Sequence, residues 1–258
     1  VIKIDTKNYY KLKWIALITM LIDHIGIRYA EYYHNLFPDY DSYITYNTLR
    51  CIGRIAFPIF CYQLVESFYY TKDRKKHLLK ILGLAVISEI PYNLMYGNWL
   101  DISRQNVCFS LAIGFACIWI SYLITEKINL VLDYGVHVNR IVKFFLQMVN
   151  VAFFVSLAYF FKVNYGYTGI LMIAFMNFAK KYGMKSLFLF AFVLFFVLEQ
   201  KFYYIFIFVD ILIIHGFQKS NKADMEERKN SILTSKPVRI FSSLFYPLHL
   251  IVLAIIFH

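Results

Sequence analysis

Asp23 and His24 stand side by side in the apolar run WIALITMLIDHIG (14–26), which follows a start carrying Lys3, Lys7, Lys11 and Lys13. If this run is a spanning helix, at about 1.5 Å per residue the pair lies about 15 Å deep, near the middle of a bilayer. Ionisable groups are costly at that depth, and they mark a functional site with partners on other spans. An imidazole there can take a proton while a carboxylate fixes its tautomer. Arg54, Glu89 and His249 each lie inside another apolar stretch and are the candidates for company.

The elements that must hold these residues follow from composition. Of 258 residues, 60% are hydrophobic and only 17% charged, and the apolar residues gather in repeated segments of spanning length. This predicts an all-α, polytopic membrane helix bundle forming a single domain over 1–258, with no soluble appendage. The alternating ten-residue segments of a β-barrel are not seen. Nine spans are expected, at 14–33, 49–70, 79–97, 107–125, 141–161, 164–180, 185–199, 201–218 and 238–257. Alternate connections then collect 21 of the 27 basic residues on one side, against Arg104, Lys162 and Lys201 on the other. By the positive-inside rule the N-terminus is cytoplasmic and His258 lies outside, in a multi-pass protein of the plasma or inner membrane.

The same distribution argues against nucleic acid as a partner. The net charge is +11, but the basic residues cluster in short connections between apolar segments, and no aromatic-basic stripe accompanies them. The first apolar segment is too long for a cleavable signal, and no small-residue cleavage site follows it. Cys51, Cys61, Cys108 and Cys117 lack CxxC spacing and read as free, buried thiols. The longest polar connection, around 217–237, is expected to be cytoplasmic.

With orientation set, depth can be assigned. Span 1 carries Asp23 and His24 near the midplane, with Arg28 and Glu31 above. Arg50 and Arg54 share a face of span 2 (i, i+4), and Pro58 cannot donate to the carbonyl of Arg54. Arg50, nearer the surface, reads as snorkelling outward. Span 3 carries Ser88, Glu89, Pro91 and Asn93, and span 4 carries Asn106 and Ser110. Span 6 opens with Asn164, Tyr165 and Gly166, and span 9 holds Ser242, Tyr246, Pro247 and His249. Asn106, Ser110 and Asn150 are open to two readings, interhelical hydrogen bonding or site contact. Asp210 is equally a structural ion-pair partner or a site residue. The seventh span, SLFLFAFVLFFVLE, reads as lipid-facing.

There is no HExxH or three-ligand cluster for a metal, and no GxSxG elbow. The set suits general-base chemistry, with Arg54 stabilising an oxyanion or holding a carboxylate. Acyl transfer to an amine or hydroxyl fits. A proton-coupled transporter of a small anion or amine fits equally.

Several separate motifs bear on the choice. LKWIALITMLIDHIG (12–26), LRCIGRIAFPIFCYQLVES (49–67), ISEIPYNLM (87–95), NVCFSLAIG (106–114), YGYTG (165–169) and YPLHL (246–250) resemble, in order and spacing, the TraX family, named for the pilin acetylase of conjugative plasmids. That family is in turn distantly similar to membrane acyltransferases such as heparan-glucosaminide acetyltransferase. The resemblance places its DHIG motif at Asp23-His24-Ile25-Gly26, its IGR-AFP motif at Arg54 and Pro58, its SE-P motif at Ser88, Glu89 and Pro91, and its YP-HL motif at Tyr246, Pro247 and His249. The chain departs from the family pattern with Ser67 after Glu66, and with Asn164 where an Asp is common.

The resemblance implies a membrane acetyltransferase. An acetyl group would pass from cytosolic acetyl-CoA to an amine or hydroxyl reached from outside, such as a peptide N-terminus or a glycan amino sugar. His24 or His249 would deprotonate the acceptor, with Asp23 or Glu89 orienting the imidazole and Arg54 binding the oxyanion. Asn93, Asn106, Ser110, Tyr165 and Tyr246 would line the acceptor site. The basic rim Lys72, Arg74, Lys75 and Lys76, itself a topology signal, is where donor phosphates would meet the protein.

Overall fold

The computed structural model describes residues 6–34, 40–131, 136–183, 185–199, 207–219 and 235–257. Asp133-Tyr134-Gly135, His258 and most of the long polar connection (220–234) lie outside the described residues. Within them the chain forms α1 (Thr6–His34), α2 (Tyr40–Gly53), α3 (Ala56–Tyr70), α4 (Arg74–Met95), α5 (Val107–Val131), α6 (Val136–Phe160), α7 (Gly166–Tyr182), α8 (Lys185–Glu199), α9 (Ile207–Lys219) and α10 (Lys236–Ile256). Stretches Arg74–Met95, Val107–Ile128, Arg140–Phe160 and Lys236–Ile256 are long and apolar enough to cross a membrane, which marks a multi-pass membrane protein.

Among the described residues each apolar stretch read from the sequence falls on helix, with one division; 201–206 lie outside them. The stretch 49–70 is broken between α2 and α3, at Arg54 and Ile55. The break has a local cause. Pro58 sits in the first turn of α3 and has no N–H for the carbonyl of Arg54, so the ladder lapses there. Ile55 N instead donates to Ile52 O at 3.3 Å, a tighter turn.

The other helix ends follow from their residues. Asn106 caps α5, its Oδ1 accepting from Cys108 N at 2.9 Å. Gly183 ends α7 in the left-handed conformation (φ 66°), its N–H donating to Ala179 O. α10 starts with Pro237 in its first turn, where a missing N–H costs nothing.

The described chain separates into two compact units: residues 1–63, 87–101 and 192–258, and residues 64–86 and 102–191. The first is organised on α1, which packs against α2, α9 and α10. The second is an α5–α6–α7 bundle around Cys117, Val151, Phe154, Ile170 and Phe178. Gly114 of α5 leaves room for Ile173 of α7, and Asn150 Nδ2 donates to Cys117 O at 3.0 Å and Ser121 Oγ at 2.9 Å. Asn150 is therefore an interhelical tie.

α6 turns a broad apolar face outward, with Ile141, Phe144, Phe145 and Phe153 exposed. α8, expected to face lipid, is exposed along one side only. Leu189, Phe190 and Val197 are exposed, whereas Ala191, Phe192 and Phe195 are buried. An all-apolar sequence carries no stripe by which its buried side could be told. All four cysteines are free and buried, as expected.

Candidate active site

The site of the first unit begins with the approach of α2 to α1. Gly26 of α1 faces Leu49, whose Cβ would lie 2.8 Å from an added β-carbon. One helical turn further along α2, a β-carbon at Gly53 would overlap the Cβ and carboxylate of Asp23. The two glycines let the backbones close in, and Arg50 and Arg54, one turn apart, flank Asp23 as a result. Arg50 Nη1 donates to Asp23 Oδ2 at 2.6 Å, and Arg54 Nη2 reaches Oδ1 at 3.2 Å and Oδ2 at 3.3 Å. Arg54 and Asp23 are 5% and 8% exposed, so this is an ion pair largely removed from water.

His24 leaves α1 about 100° from Asp23 and meets α10. His24 Nδ1 lies 2.7 Å from His249 Nε2, with the ring planes 15° apart. His249 Nδ1 lies 2.8 Å from the carbonyl oxygen of Phe245, one turn earlier. The Phe245 ring stacks on His249 at 5.2 Å, and Tyr246 closes over both imidazoles at 5.6 and 6.4 Å. Both histidines are buried.

α10 is fixed to α1 at both ends of this contact. Lys13 Nζ donates to Ser242 Oγ at 3.0 Å, and Trp14 stacks on Phe241 at 6.1 Å. Arg28 Nη2 donates to Phe257 O at 2.8 Å. The contacts advance together along both helices, so α1 and α10 run parallel.

The geometry changes the expected roles. Asp23 bonds Arg50 and Arg54, not an imidazole, because adjacent side chains on a helix diverge. Glu89 is partly buried on α4. The neighbour of each histidine is the other histidine. Arg50, expected to snorkel, turns inward to Asp23. Its i, i+4 spacing from Arg54 was the signal that placed it there.

The remaining candidates have structural partners. Asn93 is buried near the end of α4, its carbonyl accepting from Tyr96 N at 2.9 Å and Asn98 N at 3.2 Å. In the second unit Asn106, besides capping α5, donates from Nδ2 to Ala85 O at 2.8 Å. Ser110 Oγ donates to the carbonyl of Asn164. Tyr165 opens α7 in the left-handed conformation (φ 61°), with its N–H bonded to Asn164 Oδ1 at 3.0 Å. These groups hold helix ends and a turn.

Of the basic rim, Lys72, Lys75 and Lys76 are exposed. Arg74 instead lies over Phe68 and Tyr122, its guanidinium carbon 4.7 and 4.3 Å from the ring centroids. A further ion pair was not foreseen. Lys180 of α7 pairs with the buried Glu66 of α3 and lies 5.1 Å over Tyr69. A carboxylate in an apolar stretch needs a cation, and Lys180 supplies it.

The family model for TraX protein matches residues 9–257, which takes in every motif that builds this site. The chain belongs to the TraX family. That family is associated with pilin acetylation. Among curated relatives, the probable fimbrial assembly protein FimC (serogroup H1) of Dichelobacter nodosus is 29% identical over 119 residues, covering 43% of this chain and 45% of that protein. The uncharacterized protein RP591 of Rickettsia prowazekii (strain Madrid E) is 33% identical over 108 residues, covering 42% of this chain and 35% of the relative. The matches thus span less than half the length of these relatives. No solved structure matches significantly. In TraX terms, the glycines of the DHIG and IGR-AFP motifs set the spacing of α1 and α2, and the histidines of DHIG and YP-HL form the buried pair.

Proposed function

We propose that this TraX protein is a membrane-embedded acetyltransferase, moving an acetyl group from cytosolic acetyl-CoA to an amine or hydroxyl acceptor reached from the opposite side of the membrane. The observation that carries this reading is the buried His24–His249 pair, 2.7 Å between ring nitrogens, beside a carboxylate held by two arginines. The acceptor nitrogen or oxygen attacks the thioester carbonyl, and its proton passes to an imidazole. The C–S bond breaks as the new bond to the acceptor forms. The departing CoA thiolate takes the proton back, and the site returns to its starting state.

Asp23 serves this chemistry by holding Arg54 and Arg50 in place, where their charge favours the oxyanion of the tetrahedral intermediate. Lys72, Lys75 and Lys76, exposed just before and within the first turn of α4, would attract the donor's phosphates. Arg74, turned onto aromatic rings, is not needed for that. The kinship to a fimbrial assembly protein favours a surface-structure acceptor, a pilin N-terminus before a glycan amino sugar. The test is incubation of the purified protein with acetyl-CoA, following CoA release and thermal stabilisation with and without pilin peptide or glucosamine acceptors. Absence of both stabilisation and CoA release in every arm sinks the enzyme reading.

A further inference from the structure

We infer that His249 is a positioning residue and His24 the base: the contact with His249 and Phe245 holds His24 in the tautomer that leaves its Nε2 unprotonated. This rests on the acyltransferase reading for its consequence, though not for its geometry.

The argument is a proton count along three contacts. The carbonyl oxygen of Phe245 can only accept, so the nitrogen 2.8 Å from it, His249 Nδ1, carries a hydrogen. A neutral imidazole with Nδ1–H has a lone pair on Nε2. That lone pair faces His24 Nδ1 at 2.7 Å, and two bare nitrogens cannot sit so close, so His24 Nδ1 is the donor. His24, neutral and protonated on Nδ1, then has its own lone pair on Nε2. Nε2 of His24 makes no hydrogen bond among the described residues. The chain of donors starts at a backbone carbonyl and ends in a base.

The order cannot be reversed in the neutral pair. Were His24 to carry its hydrogen on Nε2, its Nδ1 lone pair would face the lone pair of His249. Helix geometry backs the assignment, since the Phe245 carbonyl lies one turn before His249 on the same helix. Phe245 and Tyr246 pack on the His249 ring and hold its plane. When His24 takes the acceptor's proton on Nε2, its Nδ1–H already points at His249 Nε2, which accepts more strongly as the charge develops. His249 thus plays the part that a carboxylate plays beside a catalytic histidine elsewhere. Asp23, the adjacent acid, is occupied by the arginines.

Two measurements test this. The first is the 15N spectrum of histidine-labelled protein in detergent, with His24 and His249 assigned by comparison with the His24→Gln and His249→Gln proteins. Both residues are expected as neutral Nδ1–H tautomers. An Nε2–H tautomer at either overturns the inference, whatever the activity. The second compares His249→Gln, which keeps an acceptor near the position of Nε2, with His249→Phe, which keeps the ring and its stacking but has no acceptor. The Phe variant is expected to lose about 100-fold or more in kcat with KM for acetyl-CoA unchanged, and the Gln variant to stay within about 10-fold of the parent. A Phe variant as active as the Gln variant means that His249 only fills space, and the positioning role falls. If the parent protein releases no CoA, the acyltransferase reading fails, while the nitrogen spectrum still decides the tautomer.

Discussion

Gly53 of α2 stands where any β-carbon would overlap the side chain of Asp23 on α1. The close approach and the ion pair are therefore one structure: α2 can bring Arg50 and Arg54 to Asp23 because Gly53 leaves room for it. Gly53→Ala is expected to force the helices apart, costing about 1–3 kcal/mol as overpacked core substitutions do. The loss is read as a lowered Tm in detergent together with a fall in CoA release. An Ala variant as stable and active as the parent would show that the approach is slack.

Asp23→Asn takes the carboxylate from between two guanidiniums in a site shielded from water. The expected destabilisation is about 3–5 kcal/mol, the usual cost of removing one partner of a buried ion pair. Replacing Arg50 by Met in the Asp23→Asn background should recover part of it. A double-mutant cycle on thermal stability measures the coupling, and strict additivity would contradict the contact.

His24→Gln is expected to lower kcat by about 10²–10⁴-fold, the usual worth of a positioned base. Acetyl-CoA binding, followed by thermal shift, should survive. Loss of binding with retained turnover at saturation would point to a binding role instead.

Lys72, Lys75 and Lys76 project from the start of α4 and are exposed. Changing all three to Ala should raise KM for acetyl-CoA several-fold and flatten its dependence on salt, leaving kcat near the parent value, since exposed charges act through screened, long-range attraction. Arg74→Lys should behave differently. It loses the flat contact with Phe68 and Tyr122, a matter of about 0.5–2 kcal/mol in stability, with no change in KM.

The helices of this fold were legible because apolar length is a strong signal, and among the described residues the apolar stretches fall on helix, 49–70 on two of them. The break at Arg54–Ile55 was not, since a hydropathy count runs straight through a lapse in hydrogen bonding, even with Pro58 announcing it. The members of the site were legible as types at a depth: Asp23, His24, Arg54 and His249 do gather in the first unit. Who touches whom was not. A one-residue step turns a side chain through about 100°, so whether Asp23 meets an imidazole or an arginine depends on helix rotation that no motif encodes. Arg50 was misplaced for a related reason, as a residue at the edge of an apolar run fits the surface and the interior equally well. Asn106 and Ser110 each bond a backbone carbonyl, as groups near buried helix ends do.

The two imidazoles in contact are separated by 225 positions in the chain, and the parallel pairing of α1 with α10 brings them together. During synthesis α1 is made long before α10 exists. Until α10 arrives, His24 has no neighbour to fix its hydrogen, while the arginines of α2 are already there to occupy Asp23. The chain therefore acquires its charged scaffold early and its base late, and activity is expected to switch on only with the docking of α10.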